Sequence, residues 1–234
     1  MTSKLKEGVM QGVFTLCACV SILAVALICI FLFANGVPTL FKIGPLKFLL
    51  GTTWKPGNDI FGILPMILGS IYVTAGAILV GVPIGLLTAI YMSKFASPRI
   101  NKVMLPAVQL LAGIPSVVYG FFGLVVIVPL VQRTFSLPVG ETGLAGAVIL
   151  AIMALPTIIT VAEDAIRNTP RAMKESSLAL GATHWQTIRK VVIPYSISGI
   201  TAAVVLGIGR ALGETMAVLM VTGNAAVMPH TLLE

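Results

Sequence analysis

Uncharged runs dominate the chain. Residues 9–34, 63–92, 103–131, 144–162 and 191–209 contain no Lys, Arg, Asp or Glu, and apolar character resumes after Arg210 and Glu214 as far as residue 227. A bilayer core about 30 Å thick needs about 20 helical residues to cross it. Each run is long enough to cross once, which predicts five helical spans joined by short polar segments. The second and third runs carry Pro65, Pro83, Pro106, Pro115 and Pro129. Spans tolerate such breaks where neighbouring helices satisfy the freed backbone groups.

Composition agrees with the pattern. Of 234 residues, 57% are hydrophobic and 10% charged, against about 25% charged in an average soluble domain. That excludes a soluble globular domain, which cannot hide so much apolar surface, and it excludes disorder. The net charge of +7 argues for basic loops on one side of a membrane, not for a nucleic-acid partner. Cys17, Cys19 and Cys29 share one apolar run without a paired or metal-ligand spacing, and read as small membrane-helix residues. The apolar stretch that continues after Cys19 argues against a lipoprotein cleavage site or a removed signal peptide.

Loop charges give the orientation. With the N-terminus in the cytoplasm, the inner segments hold Lys4, Lys6, Lys94, Arg99, Lys102, Arg167, Arg171, Lys174, Arg189 and Lys190. The outer ones hold Lys42, Lys47, Lys55 and Arg133. Ten cations against four favour that topology. Trp54 and Trp185 suit the outer and inner interfacial belts. Five spans place the C-terminus outside, with no closing signal in the last residues.

Residues 163–190 form the longest polar insert. Thr169 is expected to cap a helix with Pro170 at its first position. The helix runs over 171–180, and Gly181 ends it in the left-handed region. Thr183 and Gln186 have capping-box spacing for a second helix directed toward Pro194. Leu178, Leu180, Trp185 and Ile188 give the insert an apolar surface beside its basic one. Two readings follow: a helical pair lying on anionic headgroups, or a docking surface for a soluble subunit.

Arg210 and Glu214 lie four residues apart, a spacing that puts both on one helix face. Charges within a span are costly and usually face a protein interior or a water-filled path. A guanidinium offers a fork matched to phosphate oxygens, and a nearby carboxylate could orient it. The alternative is an ion pair near the outer interface, since a continuous helix from Val191 carries Arg210 about 28 Å toward the far side. Ser116 and Tyr119 follow a Gly113-Ile114-Pro115 break and carry hydroxyls that could meet an anion or satisfy the kinked backbone. His184 and His230 are isolated, which argues against a metal role. The pairs Gly81/Gly85 and Gly209/Gly213 have the spacing of close helix packing. No phosphate-cradling G-x-x-x-x-G-K-[ST] sequence occurs, so the chain is not expected to hold ATP.

Several of these segments carry a family resemblance. Glu175-Ser176-Ser177, three residues, Gly181, nine residues, then Val191-Val192-Ile193-Pro194 resembles the E-A-A-x3-G-x9-I-x-L-P signature of ABC importer permeases. Serines replace both alanines, and Val and Ile replace Ile and Leu. The segments 113–124 and 209–218, then Gly223-Asn224, together with Phe61-Gly62-Ile63-Leu64-Pro65, are similar to the PstC-type phosphate permeases. The similarity extends over roughly 54–224.

The resemblance implies an all-α polytopic inner-membrane protein, a type I ABC importer permease bundle with five of an expected six spans visible in a single permease domain over 1–234. Residues 163–190 would be its cytoplasmic coupling loop. It implies no catalysis and no cofactor in this chain, ATP and magnesium being held by partner ATPases. The implied partners are a second homologous permease, two cytoplasmic ATPase subunits, an extracytoplasmic phosphate-binding protein and membrane lipid. It assigns Arg210, Glu214, Thr215, Ser116 and Tyr119 to the substrate path, and Glu175, Ser176, Ser177, Gly181 and Pro194 to ATPase coupling. A permease for molybdate or sulfate, an ion-coupled secondary transporter and a non-transporting assembly subunit are the rivals. The first is disfavoured by the Gly-Arg-Ala-x-Gly-Glu-Thr segment. The second is disfavoured by the absence of visible inverted repeats.

Overall fold

The structure is a computed structural model that describes residues 2–223, 225, 228–229 and 231–232. It divides into two compact units, Met1–Leu64 and Pro65–Glu234. In the first, helix α1 (Thr2–Ile43) is followed by α2 (Pro45–Leu50). A small hairpin comes next, β1 (Trp54–Lys55) paired antiparallel with β2 (Ile60–Phe61) around the single turn Pro56–Asn58. The Trp54 and Phe61 rings meet edge to face at 5.8 Å. Along α1 most of the described apolar side chains and all three cysteines are exposed, as expected of a helix whose solvent is lipid.

The second unit is a helical bundle organised around α7 (Gly143–Arg167). The other elements are α3 (Leu64–Lys94), α4 (Pro98–Gly113), α5 (Ser116–Phe122), α6 (Val128–Phe135), α8 (Arg171–Ala179), α9 (His184–Thr187), α10 (Ile193–Tyr195), α11 (Ile197–Gly213) and α12 (Met216–Val221). Helix α7 is built for close approach. Ala145, Ala147, Ala151, Ala154 and Ala162 are all buried, interleaved with buried Ile149, Ile158 and Ile166. Lipid offers apolar side chains as good a home as the protein does, so association rests on packing of small residues.

Gly81 lies against the backbone of Ala151, and a Cβ on Gly85 would meet Ile158 Cγ2 at 2.8 Å. From the other side a Cβ on Gly207 would meet Ile158 Cγ1 at 2.5 Å. The Gly81/Gly85 pair therefore packs as its spacing predicts. Gly209 and Gly213 do not, because no atom of the described residues lies within 4 Å of a Cβ at either. Gly85→Val should lower thermal stability of the detergent-solubilised protein by about 1–3 kcal/mol, the usual cost of overpacking. An unchanged melting temperature would contradict the α3–α7 contact.

Among the described residues, four helices are long and apolar enough to cross a membrane, and a fifth span forms if a bent pair counts as one. Two of the predicted spans differ from simple helices. The run 103–131 divides at Ile114-Pro115: α4 ends at Gly113, and the spanning helix begins at Ser116 and runs to Phe135. Pro115 has no N–H to donate and disfavours helical geometry at Ile114. The run 191–209 bends by 68° between Tyr195 and Ile197, so its first part belongs to the helical segment His184–Tyr195 and only Ile197–Gly213 continues. Wide π turns at Gly123–Ile127 and Ile188–Val192 end two residues before Pro129 and Pro194. In both places the missing proline donor leaves a carbonyl of the preceding turn free.

Candidate functional site

At one end of the bundle, α7 runs on through residues expected to open the polar insert. Glu163 lies within its last turns, 4% exposed. Helix α8 then begins after Pro170, which occupies the cap position. Thr169 is not the cap. Its hydroxyl donates to the Ile166 carbonyl at 3.0 Å and meets the Ser196 hydroxyl at 3.1 Å, with both residues buried. Burial explains the change: a hydroxyl enclosed between the end of α7 and the bend before α11 bonds there instead of to the open first turn of α8.

Gly181 has φ +83 and Gly181 N–H donates to Leu178 O at 2.9 Å, the left-handed helix end its position predicts. Thr183 Oγ1 accepts from Gln186 N–H at 3.2 Å, and Gln186 Oε1 accepts from Thr183 N–H at 2.9 Å. The capping box is complete. The Ser177 and Thr187 hydroxyls meet at 3.0 Å and tie α8 to α9.

The insert thus has a folded tip. Glu175 and Ser176 are exposed on α8, Ser177 is partly buried, and Leu180 is 89% exposed. Pro194 is exposed on α10, at the far side of the wide turn. His184 packs edge-on against Phe95 at 6.1 Å, with Trp185 tilted beside it at 6.4 Å.

Arg210 lies deeper than a continuous helix would carry it. Its Nη1 donates to Thr157 Oγ1 at 3.4 Å. Thr157 is fourteen residues from the Gly143 end of α7 and ten from the Arg167 end, or about 21 Å and 15 Å along the axis. The bend before Ile197 shortens the climb of α11, so the guanidinium reaches mid-depth of α7 and not its far end.

Glu214 does not share a helix face with it. Helix α11 ends at Gly213 and Glu214 is extended, φ −81 and ψ 123. Among the described residues the ion pair is Arg167–Glu163 at 3.4 Å, and none joins Arg210 to a carboxylate. Glu214 instead lines a cleft of about 460 Å³, together with Tyr72, Thr74, Glu141, Ala211 and Thr222. Thr215 occupies the break and is exposed, and its carbonyl accepts from Leu219 N–H at 3.0 Å to start α12.

Ser116 opens α5 and is partly buried. Tyr119 is 6% exposed and its hydroxyl donates to Leu111 O at 2.9 Å, bridging the α4–α5 break. That carbonyl also accepts from Ile114 N–H at 3.3 Å, and the hydroxyl stands in for the second donor that Pro115, four residues on, cannot supply. Asn224 and His230 lie outside the described residues. Sequence reasoning missed Thr157 and Glu163, one a hydroxyl in an uncharged run, the other an acid counted with the polar insert.

Spans packed on small residues, a broken last span with an arginine at mid-depth and an ordered helical insert at one end define a multi-pass membrane transport subunit. The chain belongs to the family of binding-protein-dependent transport system inner membrane components, whose profile matches residues 81–233. It is similar to the probable ABC transporter permease protein YqgH of Bacillus subtilis, at 43% identity over 94% of this chain and 72% of the relative. It is also similar to the phosphate transport system permease protein PstC of Mesorhizobium japonicum, at 40% identity over 85% of this chain and 66% of the relative. The PstC of Haemophilus influenzae is 34% identical over 80% and 65%. The chain thus spans about two thirds of these phosphate permease relatives. Among solved structures it resembles the inward-facing MetNI methionine ABC transporter, with TM-score 0.50 and 23% identity over 65% of this chain and 68% of that one, a likeness of fold.

Proposed function

We propose that the chain is a permease subunit of an ATP-driven phosphate importer, forming half of the translocation path in the inner membrane with its N-terminus in the cytoplasm. The observation that carries this reading is Arg210: a partly buried guanidinium at mid-depth, beside a broken span, with no ion-pair partner among the described residues. The phosphate permeases similar to this chain give that charge a matching substrate class. A cation at that depth is maintained only where it meets a counter-charge or water, and a transiting oxyanion is such a counter-charge.

In this scheme Arg210 meets the anion, with Thr157 holding the guanidinium. Thr215 and Ser116 offer hydroxyls along the path. Tyr119, its proton committed to Leu111, shapes the wall. Glu214 keeps the cleft beyond the break acidic, so that phosphate does not linger there. A second, homologous permease completes the path, and a binding protein outside delivers phosphate. Two cytoplasmic ATPase subunits hold ATP and magnesium. They receive the exposed α8, with Glu175, Ser176, Ser177 and Gly181 at the contact and Pro194 at its root. Closure of the ATPases moves this loop and re-orients the spans, and hydrolysis resets them. This chain performs no catalysis.

Uptake by the assembled transporter tests the reading. Unlabelled phosphate should compete with labelled phosphate, while sulfate and molybdate in excess should not. Displacement by either of the latter would move the chain to another oxyanion, and failure to co-purify with an ATPase would remove it from this class of machine.

A further inference from the structure

On the reading just proposed, movement of the insert has to reach α11, which carries Arg210. The two meet at a buried pair of hydroxyls. The chain leaves α7 and passes Thr169 just before α8, and it enters α11 at Ser196, where the 68° bend falls. Thr169 and Ser196 are 27 positions apart and 3% and 4% exposed, and their hydroxyl oxygens stand 3.1 Å from each other. The two ends of the insert are thus tied together.

Each hydroxyl has a second contact. Thr169 Oγ1 lies 3.0 Å from Ile166 O, and Ser196 Oγ lies 2.9 Å from Val192 O. Two protons serve three contacts, so the tie forms when one carbonyl gives up its hydroxyl donor. That orphans neither carbonyl. Ile166 O also accepts from Thr169 N–H at 3.4 Å and from the Lys94 ammonium at 3.2 Å, and Val192 O accepts from Ser196 N–H at 3.0 Å. A hydroxyl enclosed this fully has no bulk water to turn to, so the pair is held closed with either oxygen as donor.

Packing fixes the same root. Gly199, in the first turn of α11, is pressed against Ala165 of α7, and a Cβ there would have no room. Ala162, Ile166, Val192, Ile200 and Ala203 share one buried cluster with Ala89 of α3. The insert itself is braced. Ser177 is one of the two serines that stand where the family signature has alanine, and its hydroxyl meets that of buried Thr187 at 3.0 Å. Helix α8 packs on both α9 and the wide turn Ile188–Val192. Root, brace and capping box close the insert into a frame, with α8 on one side and residues 184–195 on the other.

We infer that Thr169 and Ser196 are positioning residues for transport: their hydroxyl pair pins the start of α11 to the end of α7, so that the frame turns about one root and a displacement of α8 is delivered to α11 and Arg210. Without the tie the two ends of the insert move separately, and the displacement is absorbed at the Ser196 bend. The role differs from docking, because both residues are enclosed by this chain and offer no surface to an ATPase.

The test uses the complete transporter in proteoliposomes. It reads basal ATPase rate, stimulation by phosphate-loaded binding protein, and phosphate delivered per ATP. Thr169→Val keeps the shape of the side chain and removes the hydroxyl. It and Ser196→Ala should each cut phosphate delivered per ATP about fivefold, at the low end of coupling energies, with basal hydrolysis unchanged. Thr169→Ser retains the hydroxyl and should perform close to wild type. The double variant Thr169→Val with Ser196→Ala should be no worse than either single one, because all three lack the same tie. Wild-type delivery per ATP in either single variant, losses that multiply in the double variant, or a loss in Thr169→Ser as large as in Thr169→Val overturns the inference. Failure of Thr169→Val to assemble also overturns it, since the pair then serves the fold and not the coupling. A wild-type complex that ignores loaded binding protein overturns the importer reading itself, and this inference with it.

Discussion

Replacing Arg210 with glutamine should abolish phosphate uptake while leaving the complex assembled. The guanidinium makes a 3.4 Å contact to Thr157 and is only partly buried, so its loss removes little from the packing of α11 on α7. Its value to a passing dianion is larger. A charge-assisted hydrogen bond contributes about 1.5–3 kcal/mol, and the fork supplies two of them together with a full charge at a depth where water is scarce. Arg210→Lys should also be severely impaired, because an ammonium retains the charge without the planar fork. Thr157→Val should give a milder loss, the guanidinium being kept but less well aimed. Labelled-phosphate uptake in proteoliposomes, set beside co-purification of the partner subunits, separates transport from assembly. Normal uptake by Arg210→Gln would sink the assignment.

Gly181→Pro should uncouple the transporter. The residue sits at φ +83 and its N–H closes the end of α8 on Leu178 O. Proline fixes φ near −65° and has no N–H, so it removes the turn outright, and the capping box two residues later then starts its helix in the wrong direction. Gly181→Ala keeps the donor and suffers only the strain of a left-handed non-glycine residue, about 1–2 kcal/mol, so it should retain partial function. Glu175→Lys provides an independent arm. The side chain is exposed and its reversal leaves the fold intact, so a loss there reports on the partner surface. ATPase stimulation by loaded binding protein is the measurement, and unchanged stimulation in Gly181→Pro would exclude α8 from coupling.

What could be read from the sequence was whatever is settled locally. The capping box at Thr183 and Gln186 and the glycine end of α8 each depend on a few neighbouring residues, and both form. Run length identified α3 and α7 for the same reason, since composition alone decides whether a helix can cross lipid. The Gly113-Ile114-Pro115 break was legible as a kink, but not that it would end α4 and leave the span to begin at Ser116, and the bend at Ser196 was not legible. Pro83, Pro106 and Pro156 sit inside continuous helices, so a proline does not reveal by itself whether its neighbours will repair the backbone. The depth of Arg210 stayed open in the sequence, because it depends on where the fifth helix begins, and the bend decides it. Its separation from Glu214 failed because α11 ends at Gly213, and helical spacing says nothing across an end. Glu163 was hidden by its charge: an acid beside Asp164 reads as solvated, and only the packing of the end of α7 leaves it 4% exposed.

Gly209 and Gly213 turn toward open space, whereas Gly85 and Gly207 are pressed against Ile158. The two sets therefore sort defects by origin. A side chain added at Gly85 or Gly207 damages this molecule and shows in its own melting curve. A side chain added at Gly209 or Gly213 meets none of the described residues of this bundle, so a defect that grows with its size reports the approach of something outside the bundle, and scanning those two positions with residues of increasing size would gauge the clearance of that visitor like a feeler in a gap.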